Sequence, residues 1–145
     1  MLVRSHHALS KTIFEEMARQ FSRTTGTPFA GLRISNIMVA PGDYERFLTF
    51  QNDPRLRKWN LRGYVDARDV AQACRLALEA DLAGAKVFIV AATDTVMKWE
   101  SRDLMAEIYP EVPLRDVRGR RMLLSIEKAR RELGYSPKHS WRENI

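Results

Sequence analysis

His7 and Lys11 stand four residues apart in "SHHALSK", Ser5 to Lys11, just ahead of the amphipathic stretch "TIFEEMARQF". Residues four apart on a helix share a face, so an imidazole able to carry a proton near neutral pH would lie beside a fixed positive charge. That is the make-up of an acid/base pair. The competing reading is a solvated helix start, and taken by itself His7 fits that plainer reading. Ser35 and Asn36 form a second pair of interest. They bring polar side chains into the otherwise mostly aliphatic "FAGLRISNIMV", Phe29 to Val39. Ser and Asn commonly satisfy backbone groups where a strand stops, and the same placement can turn a side chain towards a ligand.

These residues need elements to hold them. From Ser10 to Arg23, Ile13, Met17 and Phe21 recur every four residues with Phe14 and Ala18 beside them, which predicts a helix with one apolar face. Phe29 to Val39 reads as a buried strand. From Pro41 to Gly63 the prolines, Tyr44, Phe47, Phe50 and Trp59 suggest a long loop with its own small apolar cluster. "YVDARDVAQACRLALEA" predicts a helix capped by Asp66, with Asp69 at its positive end and Val70, Ala73, Cys74 and Ala77 along one face. "KVFIVAA", Lys86 to Ala92, reads as a strand covered on both faces, which implies parallel packing. Further helices are expected from near Ser101 to before Pro110 and from Ser125 to Leu133, the last stopped by Gly134. Strands alternate with helices, so the class is α/β. Two strands do not make an independent sheet, and part of the fold is missing from this reading.

Composition narrows the partners. At 145 residues with 45% hydrophobic content, the chain fits one domain with a core rather than a disordered segment. The net charge of +6 favours anionic ligands only in a general way, because the charge is spread along the sequence. Arg55, Arg57, Lys58 and Arg62 surround Trp59, and Arg115, Arg118, Arg120 and Arg121 cluster later. A charge run is usually a solvated face, and no nucleic-acid-binding motif accompanies either cluster. Cys74 is the single cysteine, so no disulfide framework or zinc spacing exists and no metal is expected. "MLVRSHHALS" lacks an apolar signal core and no run is long enough for a membrane helix, so a cytoplasmic protein without membrane contact is expected.

"HALSK" leading into a helix, "LRISN" in a strand, "GYVDARDVAQA" opening a helix, "KVFIVAA" and "SIEKARRELGYSP" follow one another along nearly the whole chain. Together they resemble the C-terminal half of the NAD-dependent epimerase/dehydratases, the extended short-chain dehydrogenase/reductases. The resemblance implies a partial Rossmann-like α/β fold: the C-terminal strands and helices of a doubly wound parallel sheet plus a small substrate-binding region. Residues 1–145 would then be the C-terminal portion of an NAD(P)-binding domain, without the Gly-rich dinucleotide-binding half. None of the glycines forms G-x-G-x-x-G or G-x-x-G-x-x-G after a strand.

In that family a Tyr-x-x-x-Lys pair moves the proton while hydride passes to or from nicotinamide. Lys11 matches the lysine, which lowers the tyrosine's pKa and holds the nicotinamide ribose, and His7 occupies the tyrosine's place. An imidazole nitrogen lies closer to the backbone than a phenolic oxygen, and a misplacement of about 1 Å can cost on the order of 10²-fold in rate. By the same resemblance Ser35 would lie against the nicotinamide and Asn36 would hydrogen-bond the substrate. The family more often has glycine-proline soon after that asparagine, where this chain reads "NIMVAPGDY". In nucleotide-sugar members, arginines from regions such as the two clusters contact phosphate. The implied activity is hydride transfer on a sugar, nucleotide sugar or other small hydroxy/keto substrate with NAD or NADP, silent in this chain alone. The alternative is a non-catalytic remnant or association module whose exposed sheet edge pairs with itself or with a missing half.

Overall fold

Ser5 starts the first helix because its hydroxyl accepts the Ala8 backbone N–H at 3.1 Å, satisfying one of the free first-turn donors. The structure is a computed structural model, and it describes residues 5–114 and 117–143. Arg115, from the later arginine cluster, lies outside them. Helix α1 spans His6–Thr25 and ends at Gly26, whose φ of 72° permits the left-handed turn that closes it. It is longer than the Ser10–Arg23 periodicity indicates, so His7 lies within its first turn.

Strand β1 (Phe29–Ile34) pairs in parallel with β4 (Ala85–Val90), and β2 (Ile37–Met38) pairs in parallel with β3 (Val65–Asp66). The single strand expected from Phe29 to Val39 is therefore two. The reason is a change of partner at Ser35 and Asn36. The Ser35 N–H still donates to Val90 O at 2.9 Å, whereas Asn36 O accepts from the Val65 N–H at 2.9 Å. The chain is handed from β4 to β3 at the two residues singled out for their polarity. The result is an α/β architecture with parallel strands.

Helix α3 (Ala67–Glu79) is capped by Asp66, whose Oδ1 accepts the Arg68 N–H at 2.9 Å. Asp69 does more than favour the helix end. It is buried and accepts the backbone N–H groups of Lys138 and His139 and contacts the His139 Nδ1 at 2.9 Å, tying the end of the chain to α3. Cys74, expected on the packed face, is exposed. Helices α4 (Ser101–Ile108) and α5 (Glu127–Leu133) complete that side, α5 starting two residues later than expected and closing at Gly134 with φ 71°.

The expected loop cluster proves to be part of the main core. Tyr44 in the short helix α2 (Gly42–Glu45) and Phe47 in the following 3₁₀ turn are fully buried. Phe47 stacks edge-on against Tyr64 and Trp141 at centroid distances of 5.3 and 5.9 Å. Trp59 is left out of that cluster, 77% exposed. The arginine-rich loop also departs from a solvated face. Arg62 is wholly buried, with one guanidinium nitrogen donating to Pro54 O, and burial lowers the pKa of both Arg57 and Arg62. Arg57, Leu61 and Arg62 all take φ between 52° and 55°, a left-handed geometry that costs non-glycine residues energy and draws this loop inward. No described helix is long and apolar enough to cross a membrane.

Candidate functional site

The carboxyl end of β1 carries the unused polar side chains. Ser35 and Asn36 line a groove of about 350 Å³ with Ile34, Trp59, Leu61 and Leu124. Their backbones are fixed by the partner change described above. Their side chains form no hydrogen bond among the described residues, so neither is occupied in finishing the strand. Asn36 is exposed and Ser35 half-buried. An amide with two donors and an acceptor, next to a hydroxyl and an indole face, can orient a polyhydroxylated or planar ligand.

Gly63 packs against Ser35, a closeness that no sequence motif pointed to. A Cβ at position 63 would come within 2.7 Å of the Ser35 Oγ and 3.2 Å of Asn60 O and of the Leu124 Cδ1. Only glycine lets the segment before β3 lie this close to the groove. The available signal was a glycine two residues before a buried strand, a common mark of close backbone approach.

His7 and Lys11 lie one turn apart on α1, both exposed. The Ser10 hydroxyl donates to His7 O at 2.8 Å, and the Lys11 ammonium lies 6.0 Å from the Phe14 ring centre, with no carboxylate among the described residues in ion-pairing distance. Neither lines the groove of Ser35 and Asn36. They do belong to the same end of the layer. Further along α1, Arg19 and Ser22 lie against Ala85 at the start of β4, while Glu15 reaches Arg33 near the end of β1. α1 thus runs antiparallel to β1, and its first turns extend towards the strand's carboxyl end.

The Glu15–Arg33 contact that sets this geometry is a two-pronged ion pair, Arg33 Nε and Nη2 each donating to a Glu15 oxygen at 2.8 Å. It lowers the Glu15 pKa and raises that of Arg33. At the end of β3, Asp66 is buried. Burial works to raise its pKa, but hydrogen bonds from Arg68 and Tyr44 outweigh that and hold the carboxyl well below the usual carboxylate range. Tyr64 donates to Asp94 at 2.6 Å, and burial together with that carboxylate pushes its phenol pKa far up, so it serves as a fixed donor. Among the described residues, no three His, Cys, Asp or Glu side chains gather as a metal site.

No family model matches the sequence. No curated protein matches it either. Solved structures do match. The Bordetella bronchiseptica enzyme WbmF in complex with NADH superposes with a TM-score of 0.60 at 21% identity, covering 98% of this chain and 50% of that one. The UDP-N-acetylglucosamine 4-epimerase of Methanobrevibacter ruminantium, in complex with UDP-N-acetylmuramic acid, gives 0.60 at 16% identity, covering 99% and 53%. RMD from Pseudomonas aeruginosa, complexed with NADPH, gives 0.57 at 19%, covering 94% and 51%. The chain spans about half the length of the structures it matches, and its fold is that of the carboxyl-terminal half of an epimerase-type chain.

Proposed function

We propose that residues 1–145 form the carboxyl-terminal, substrate-side portion of an NAD(P)-dependent epimerase/dehydratase-type oxidoreductase acting on a sugar or nucleotide sugar in the cytoplasm, and that the chain is inactive alone. The observation that carries this reading is the pair of unbonded side chains, Ser35 and Asn36, in a groove at the carboxyl end of a parallel strand, where open α/β sheets bind their ligands. The matched structures support it: their partners are NADH, NADPH and a UDP-sugar.

The groove fits one end of a dinucleotide. Gly63 packs close against the Ser35 hydroxyl, and Trp59 and Leu61 supply apolar surface. The residues described here offer no pyrophosphate cradle. The positive-φ glycines are Gly26, Gly84, Gly119 and Gly134, and Gly26 and Gly134 close helices rather than open them. A nicotinamide dinucleotide, when bound, supplies the hydride acceptor or donor. Lys11 would hold the ribose hydroxyls, and Ser35 would border the ring. Asn36 would hydrogen-bond a substrate hydroxyl, and His7 would take or return its proton at an imidazole nitrogen.

The test joins this chain to the amino-terminal half of WbmF and measures NADH binding by fluorescence. Binding that weakens at least about tenfold in Lys11→Ala supports the reading, and His7→Tyr should then raise turnover on a panel of sugars and uronates. NADH binding indifferent to Lys11→Ala overturns it. A bare outer edge on β1 favours a second reading, a non-catalytic association module. Light scattering showing a compact monomer at all concentrations would remove it.

A further inference from the structure

Trp59 is the least covered of the three tryptophans, 77% exposed against 38% for Trp99 and 5% for Trp141. A single apolar side chain left in water needs no explanation by itself. The backbone beneath this one does. Trp59 is the middle residue of a 3₁₀ turn, Lys58–Asn60, bracketed by Arg57 and Leu61 in left-handed conformations at φ 55° and 52°. The turn is also held from three directions. The Arg57 guanidinium lies 4.9 Å from the Phe50 ring centre, the Tyr109 hydroxyl donates to Lys58 O at 3.1 Å, and Asn60 Oδ1 accepts the Arg62 N–H at 3.1 Å. A strained, anchored turn thus holds the indole at the lip of the Ser35–Asn36 groove, and strain of this kind gathers where ligands are gripped.

The groove beside it is neutral. Among the described residues Arg33 is the one charged side chain on its wall, and the two-pronged pair with Glu15 cancels that charge. A carboxylate seated here would give up its water without meeting a free cation. Ser35 and Asn36 can each both donate and accept, as ring hydroxyls do, while Ile34, Leu61 and Leu124 add apolar surface. A hexopyranose has the same division, with hydroxyls around its rim and C–H bonds on its faces. At about 350 Å³ the groove is near the small end of ligand pockets, with room for one ring rather than for a whole nucleotide sugar.

We propose that Trp59 is a specificity-determining residue whose indole stacks on the C–H face of a neutral hexopyranose, with the sugar's hydroxyls meeting Asn36. The negative π face of the ring attracts polarised C–H bonds, and the contact adds to the apolar area buried. The inference rests on the sugar-oxidoreductase reading above and narrows it. The substrate's exocyclic carbon carries a hydroxyl or a methyl group rather than a carboxylate, because a uronate would place its charge in a groove whose arginine is already paired.

The test titrates the isotope-labelled full chain with methyl β-D-galactopyranoside, methyl β-D-glucopyranoside, methyl β-D-glucuronide, uridine monophosphate and nicotinamide mononucleotide, read by NMR at the indole N–H and side-chain amide signals. At least one neutral glycoside should shift the Trp59 Nε1–H and the Asn36 amide together with a Kd on the order of 10 mM, and the glucuronide should bind at least about tenfold more weakly. Trp59→Ala should abolish that binding, whereas Trp59→Phe should keep part of it, since a phenyl ring retains a stacking face. Both variants should unfold at the same urea concentration as the parent, because the indole stands mostly in water. No shift from either neutral glycoside at about 200 mM overturns the proposal. A glucuronide that binds as tightly also overturns it, and so does a nucleotide that shifts Trp59 where the glycosides do not. Glycoside binding unchanged in Trp59→Ala refutes the stacking role. The hydride-transfer reading fails separately, on NADH binding to the joined halves that ignores Lys11→Ala. Glycoside binding by the chain alone would survive that failure, and NADH binding would survive the failure of this inference.

Discussion

Around β4, Phe88, Val90, Leu104, Ile126, Ala129 and Leu133 are buried, whereas along α1 the apolar residues Ile13, Phe14, Met17 and Phe21 stand between 45% and 61% exposed. Both regions obey the same amphipathic patterning. The difference is where the apolar side points. α1 meets its own sheet through Phe14, Glu15, Ala18, Arg19 and Ser22, most of them small or polar, and turns its Ile13–Met17–Phe21 stripe the other way. Amphipathicity thus specifies a buried face without specifying that this chain does the burying. Stability should be concentrated in the Tyr44–Phe47–Tyr64–Trp141 core and thin along α1.

The sharpest way to break that contrast is a pair of truncations. Phe47→Ala should lower unfolding free energy by about 3–5 kcal/mol, while Met17→Ala should stay within about 0.5 kcal/mol, both read by urea denaturation. Equal losses would mean that α1's stripe is covered in solution. Next in size is Gly63→Ala, expected to cost about 1–3 kcal/mol through its contact with Ser35 and Asn60. Its chemical-shift changes should centre on Ser35 and Asn36, and changes confined elsewhere would separate Gly63 from the groove.

The smallest effect is in acid. Asp66 has a folded pKa below its unfolded value, so its contribution is complete above about pH 4 and is lost as pH falls through the folded value. Melting temperature should fall below about pH 4, and Asp66→Asn should flatten that fall. The Glu15–Arg33 pair has the same sign, but Arg33 is half-exposed and the pair contributes about 1 kcal/mol or less. An acid response unchanged in Asp66→Asn would remove the cap from the account.

Much of this was legible because its causes are local. The Asp66 cap, the stop at Gly134 and the almost continuous apolar run of β4 each depend on neighbours within a few residues. The division of Phe29–Val39 was not legible, since the exchange of β4 for β3 at Ser35 depends on a segment far along the chain. The same holds for Tyr44 and Phe47, whose partner Trp141 lies near the opposite terminus, and for Arg62, drawn inward by a left-handed loop. At the candidate site, Ser35 and Asn36 could be found as polar interruptions of an aliphatic strand, and spacing alone set His7 one turn from Lys11. That these pairs occupy different surfaces of one end of the layer depends on how α1 crosses the sheet.

Backbone amide exchange by NMR along β1, in the chain alone, tests most directly whether this is one side of a larger parallel sheet. Slow exchange at Gly31 and Arg33 with fast exchange at Ala30, Leu32 and Ile34 is the predicted alternation. Uniform protection across all five, independent of concentration, would mean that the edge is already closed within the chain and would contradict it.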